Sequence, residues 1–248
     1  MRKITLFLPL AALALTACGY SVSNAIDEVK SSGTSGLEDG QTISSTIATT
    51  EAFTAVKALG PANIIFVTGD AFTIKANGNA KAIATLRYKM EDGAIKIGRI
   101  KGNWFGDEGV TITITAPKLS AASLAGSGDF TANKMEGDTV EVEIAGSGSL
   151  KVAEVVAKTL KTRIAGSGDA MISGTTDSAD FSVLGSGSIN GQKLTTTNAA
   201  VSIAGSGDVS INATGKVDAK VAGSGDINVT GGATCASKSM GSGGINCS

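Results

Sequence analysis

From Leu124 to the end of the chain, apolar and polar residues alternate on both sides of a recurring Gly-Ser-Gly corner. Around the second corner Val142 and Ile144 lead in and Leu150 and Val152 lead out, with Glu141, Glu143 and Lys151 between them. Around the fifth, Val201, Ile203, Val209 and Ile211 alternate with Ser202 and Ser210. Around the sixth, Ala219, Val221, Ile227 and Val229 alternate with Lys220 and Asn228. A period of two on each side of a glycine corner predicts a unit of strand, tight turn, strand. Glycine suits the turn because it reaches positive φ without a Cβ penalty. A helix is excluded, since paired glycines and no 3.6-residue period would cost too much.

The corner phrase returns seven times: LAGSGD at Leu124–Asp129, IAGSGS at Ile144–Ser149, IAGSGD at Ile164–Asp169, VLGSGS at Val183–Ser188, IAGSGD at Ile203–Asp208, VAGSGD at Val221–Asp226 and a worn SMGSGG at Ser239–Gly244. Its first glycines are Gly126, Gly146, Gly166, Gly185, Gly205, Gly223 and Gly241, spaced by 20, 20, 19, 20, 18 and 18 residues. A fixed period of this size marks stacked repeats, because one such unit cannot bury its apolar face alone. The expected fold is therefore all-β, a parallel β-solenoid of 18–20-residue coils. Its corner glycines would form a column about 29 Å long at the usual strand spacing. Outward residues of neighbouring coils should stack, and their signs alternate: Glu141, Lys161 and Asp180 in one rank, Glu143 and Arg163 in the next. Such cross-coil ion pairs on an exposed face contribute about 0–1 kcal/mol each.

Upstream the period is lost but strands continue. Thr50–Val56, Ala62–Thr68, Asp70–Ala76, Ala82–Met90, Ala94–Ile100 and Val110–Thr115 all read as strands, punctuated by Gly60-Pro61, Thr68-Gly69-Asp70, Asn77-Gly78-Asn79 and Glu91-Asp92-Gly93. The domain reading is one β-solenoid over residues 46–248: irregular first coils and a cap over 46–120, then the regular repeats over 121–248. Residues 18–45, rich in Ser, Gly and acidic side chains, read as a flexible tether. Residues 1–17 open with Arg2-Lys3 and an apolar run, Ile4–Leu15, too short to span a membrane. Leu15-Thr16-Ala17-Cys18 resembles the bacterial lipobox, which implies cleavage before Cys18 and a lipid on its sulfur. Gly19 rather than Asp after the cysteine points the anchor to the outer membrane. An ordinary signal peptide with an incidental cysteine is the other reading.

The segments around Phe53, the stretch RYKMEDGAIKI at Arg87–Ile97, the strand-then-proline VTITITAPKL and the repeated GSGD/GSGS corner together resemble the adhesin family with the head GIN domain. The tripeptide itself stands at Gly244-Ile245-Asn246, with close forms at Ser188-Ile189-Asn190 and Asp226-Ile227-Asn228. The resemblance runs from Ile47 to Ser248. It implies a right-handed parallel β-helix in a secreted or lipid-anchored envelope protein; it implies no particular molecular activity.

Composition narrows the chemistry. Loss of residues 1–17 would remove Arg2 and Lys3 from the 21 basic residues, leaving 19 against 22 acidic ones. A near-neutral chain without a basic cluster argues against nucleic acid as a partner. There is no histidine, so His-based triads and metal sites are excluded. The corner carboxylates Asp129, Asp169, Asp208 and Asp226 admit two readings. One is a weak Ca²⁺ ladder, as in glycine-aspartate rolls; the other, favoured here, is turn capping of nearby N–H groups. Outward Glu141, Glu143, Lys161, Arg163 and Asp180 are the nearest counterpart to the catalytic groups of polysaccharide-cutting β-helices. Their alternating signs favour an ion-pair ladder instead.

Trp104-Phe105 lies in a polar, glycine-flanked stretch and reads either as a binding loop or as a plug over an open end. Cys235 and Cys247 stand six residues before and six after Gly241, at positions held by apolar residues in earlier coils. Both should point inward, and an oxidising envelope permits a disulfide between them. Two free thiols are the alternative. The functional expectation is a non-catalytic, lipid-anchored envelope protein without a cofactor, serving as an adhesin-like binding or structural surface for an envelope polysaccharide or protein. A polysaccharide-active enzyme and a self-assembling, homo-oligomeric module remain the rivals.

Overall fold

The computed structural model describes residues 37–43, 46–48, 51–101 and 109–248. The expected signal sequence, Cys18 and the Trp104-Phe105 pair lie outside these residues. One continuous sheet system wraps a single apolar core that runs from Ile43 to Val229.

The regular half is the predicted parallel solenoid. Met135–Gly146 lies on Ser149–Gly166, with Ile144 opposite Ile164 and Gly146 opposite Gly166. The same register carries on to Gly185, Gly205, Gly223 and Gly241. The alternation of apolar and polar residues decides which side is core. Leu124, Ile144, Ile164, Val183, Ile203 and Val221 stack as one buried column, and Ala122, Val142, Thr162, Phe181, Val201 and Ala219 as the next.

Each corner turns on its first glycine, whose φ lies between 124° and 146° in all seven copies. A Cβ on Gly146, Gly166, Gly185 or Gly205 would run into the carbonyl oxygen of the corner glycine one coil earlier. That oxygen is already engaged, for it accepts from one or two N–H groups of the next corner. Gly126 O receives Ser147 N and Gly148 N, both at 3.1 Å, and Gly146 O receives Ser167 N at 2.9 Å and Gly168 N at 3.1 Å. Close backbone approach and positive φ thus both require glycine.

Coils are three-sided, where the sequence pattern predicts two strands per unit. Leu150 and Val152 point inward, Val155 is the next buried residue, and Leu160, Thr162 and Ile164 follow. Inward parity changes twice within Ser149–Gly166, so the chain turns twice more while remaining hydrogen-bonded to its neighbours. Coil lengths differ only on this far arc. Register skips between Val152 and Val155, between Met171 and Ser173, and between Gly191 and Thr195, while the glycine corners stay aligned.

The N-terminal part caps this stack with antiparallel strands. Ala55–Leu59 and Asn63–Thr68 extend the parallel faces. Thr46–Ala48 and Thr73–Asn77 pair antiparallel, as do Leu86–Glu91 and Ala94–Arg99. The latter hairpin turns through Asp92 and Gly93, both at positive φ, 53° and 71°, the two-residue turn that suits strand twist. Phe53 and Phe72 meet edge to face at 5.3 Å.

Three expectations change here. Ala82–Met90 is not one strand, because Ala80–Thr85 is a short helix. Asn79 accepts from Lys81 N at 2.9 Å, and the alanine-rich AKAIAT favours helix locally. Within the expected strand Thr50–Val56, the described residues from Glu51 on enter a strand only at Ala55. The folded body also begins inside the stretch read as tether. Gln41–Thr42 pairs antiparallel with Arg87–Tyr88, and Ile43 is fully buried.

Candidate functional site

Outward residues of the face after each corner form ranks running the length of the solenoid. The first rank carries the corner acids. Asp169 accepts from Ser188 N at 3.1 Å, Asp208 from Asp226 N at 3.0 Å, and Asp226 from Gly244 N at 2.7 Å, each from the next coil. Asp129 has its own N–H bonded to Asn63 at 3.0 Å. A carboxylate here caps an amide that the turn leaves unpaired. Asp129, Asp169 and Asp208 are separated by Ser149 and Ser188, and only Asp208 and Asp226 occupy successive coils. Among the described residues no three Asp, Glu, Cys or His side chains gather as a metal site.

The next rank holds Lys151, Met171, Asn190, Ser210, Asn228 and Asn246. Asn246 Nδ2 donates to Asn228 Oδ1 at 3.2 Å, the start of an amide ladder. Beside this rank the register skips of the far arc open a shallow depression of about 160 Å³, lined by Met171, Ile172, Ser173, Asn190, Gln192 and Lys193. Met171 is 47% exposed. The lining joins an apolar floor to hydroxyl, amide and ammonium donors, with no carboxylate.

On the face before each corner, charges pair across coils. Lys161 reaches Glu141 at 3.4 Å and Arg163 reaches Glu143 at 3.8 Å. Asp180 sits in register with Lys161, whose ammonium bonds to Glu141 instead. Lys158 meets Asp138 at 2.9 Å and, on the far arc, Lys134, just before the strand Met135–Gly146, meets Glu136 at 2.6 Å. Hydrogen bonds from Lys158 and Lys134 hold the Asp138 and Glu136 carboxyls below the usual carboxylate range. The same contacts raise both ammonium groups above the usual lysine value. Apart from Asp180, the candidate charges Glu141, Glu143, Lys161 and Arg163 on this face neutralise one another in pairs.

At the far end Cys235 and Cys247 are joined by a disulfide, with Cα atoms 6.6 Å apart. Cys235 lies over Val217 and Cys247 over Val229, both inward positions, as parity predicts. The bond therefore spans the end of the core.

A family profile described as "Putative auto-transporter adhesin, head GIN domain" matches residues 52–233. The chain belongs to this family. Its solved relatives share the fold. A "putative adhesin" from Bacteroides fragilis superposes with a TM-score of 0.73 at 23% identity, covering 82% of this chain and 96% of the other. A "putative lipid binding protein" from Parabacteroides distasonis gives 0.61 at 24%, covering 84% and 98%. A "putative adhesin" from Parabacteroides merdae gives 0.64 at 20%, covering 82% and 94%. No curated protein matches the chain.

In this head GIN chain the family match ends before the last coil, so the tripeptide Gly244-Ile245-Asn246 lies beyond it, while Asp226-Ile227-Asn228 lies within. Geometry explains why the two look alike. Gly244 takes the corner acid's place and donates to Asp226, Ile245 turns inward over Ile227, and Asn246 turns outward to Asn228. The depression escaped sequence reading, although its signal was present. The spacing falls to 19 between Gly166 and Gly185 and to 18 after Gly205, and the intervening long coil projects Gln192 and Lys193.

Proposed function

We propose that this chain is a lipid-anchored, non-catalytic solenoid of the bacterial envelope that presents its ranked outer faces to an envelope polysaccharide or protein. The observation that carries the reading is the mutual pairing of the outward charges. Glu141 with Lys161, and Glu143 with Arg163, leave Asp180 as the one candidate catalytic charge outside a pair among the described residues of the face before each corner. The polar ladder and the depression at Met171–Lys193 supply a long surface with polar donors, and per-repeat insertions in repeat proteins often fall on the binding face. Membership of an adhesin family supports the same class of role. The lipobox-like Leu15–Cys18 supports the anchor, with Cys18 as its site.

Two experiments test this. Cys18→Ala should release the protein from the membrane fraction or leave it unprocessed; a variant that fractionates and migrates like wild type removes the anchor. Soluble chain from residue 18, used as bait on detergent-solubilised envelope, should retain a polysaccharide or protein, and less of it with Gln192→Ala/Lys193→Ala. Depolymerisation of an acidic polysaccharide by the purified chain would establish the enzyme instead.

Contact with lipid is a second reading, favoured by one observation. The outward rank just before the corner glycines is apolar: Ala125, Ala145, Ala165, Leu184, Ala204, Ala222 and Met240, with Leu184 48% and Met240 66% exposed. Co-sedimentation of anchor-free chain with vesicles, lost on Leu184→Asp/Met240→Asp, would select that reading.

A further inference from the structure

The last coil differs from every coil beneath it. Among the described residues its two strands, Thr234–Gly241 and Ile245–Cys247, pair on one side only, with Lys216–Gly223 and Ile227–Thr230. Its inward positions are Ser237 over Ala219 and Ser239 over Val221, where earlier coils carry Val201 and Ile203. Both serines are exposed. Yet this coil covers the apolar end of the core: Val217, Ala219, Val221, Ile227 and Val229 are each 2% exposed or less. A terminal repeat with a weak apolar contribution is the first to open, since repeat stability is a sum of nearest-neighbour terms.

What the coil lacks in apolar packing it has in a covalent ring. The Cys235–Cys247 bond closes the segment around Gly241 and crosses the end of the core above Val217 and Val229. Detachment of the coil as a ring frees far less conformational entropy than detachment as an open strand. The bond is also reachable, for Cys247 is exposed and Cys235 half-buried.

We propose that the last coil is a redox-released cap: a dithiol reductant that opens Cys235–Cys247 loosens the coil and uncovers the apolar end of the solenoid. One thiolate of the dithiol attacks a sulfur of the bond, and the other cysteine leaves as thiolate. The second thiol then displaces the mixed disulfide. The products are two cysteine thiols, which take up the dithiol's two protons, and the cyclic disulfide of the reductant. Loss of the ring, about 13 residues long, raises the opening of the coil by roughly a hundredfold.

Amide exchange read by mass spectrometry on the soluble chain from residue 18, with and without dithiothreitol, tests this. Exchange over residues 234–248 should accelerate roughly a hundredfold on reduction, while residues 149–205 keep their protection. Cys235→Ser/Cys247→Ser should match the reduced wild type and ignore the reductant. Cys235→Val/Cys247→Val restores the apolar lid without the ring and should also open faster than the oxidised protein. The proposal is overturned if oxidised and reduced chains exchange alike, if acceleration spreads evenly over all coils, if the valine pair is as protected as the disulfide, or if native chain resists reduction so that neither cysteine alkylates.

Discussion

At the scale of single residues, parity along a coil determines whether a side chain meets water or core, and adjacent positions give opposite outcomes. Ile203 is 1% exposed whereas Ser202 is exposed. Ile203→Asp would bury an unpaired charge at a cost of several kcal/mol, and Ser202→Asp should be nearly silent. Equal thermal shifts for the two would refute the register. Thr162 makes a subtler case. It is fully buried between Val142 and Phe181, and its hydroxyl has no hydrogen-bond partner. Thr162→Val keeps the shape, removes an unsatisfied polar atom and should stabilise by about 1 kcal/mol. Thr176, also buried, lies 3.1 Å from Lys158 O and 3.0 Å from Ser178 O, so Thr176→Val should destabilise by a similar amount. Melting curves of the two variants should move in opposite directions.

At the scale of the element, the glycine corner is the most legible part of the chain and the far arc the least. The corner repeats because each carbonyl serves one or two N–H groups one coil on, so the backbone itself demands glycine there. Gly185→Ala places a Cβ against Gly166 O at φ 127°, and should destabilise by about 1–3 kcal/mol or more, while Ser186→Ala should not. Unchanged melting of Gly185→Ala would mean that the corner relaxes freely. The far arc carries no such demand. Its residues satisfy the ladder with anything from none to three intervening positions, so Ile172 stands where the next coil places Gly191 and Gln192. A two-residue period cannot report a strand that turns twice without leaving the sheet, and the third side was missed for that reason. Ala80–Thr85 was hidden differently. Six residues are too few to display a helical period, and only the Asn79 cap announces them. The disulfide was legible because Cys235 and Cys247 inherit inward positions from Val217 and Val229.

At the scale of the molecule, charge is spread in small exposed pairs, and this fixes how stability responds to pH. The Lys89 ammonium holds Asp39 below the usual carboxylate range, Lys96 does so for Glu91, Lys134 for Glu136 and Lys158 for Asp138. Lowered carboxyl values contribute stability that is present above the unfolded range, about pH 4, and is lost as pH falls through the folded values. Lys89, Lys134 and Lys158 are raised, so their share is present below about pH 10 and is lost as pH rises through the folded values. Among the described residues there is no histidine and no free thiol to titrate between these limits, since Cys235 and Cys247 are joined. The melting temperature should therefore be flat from about pH 5 to about pH 9 and fall at both ends. The groups involved are exposed, so each decline should be shallow and should flatten further in high salt. Thermal melts from acid to alkaline pH at low and high ionic strength check this. A step between pH 6 and 8, or acid and alkaline limbs that do not respond to salt, would show that a buried charge rather than these surface pairs controls the fold.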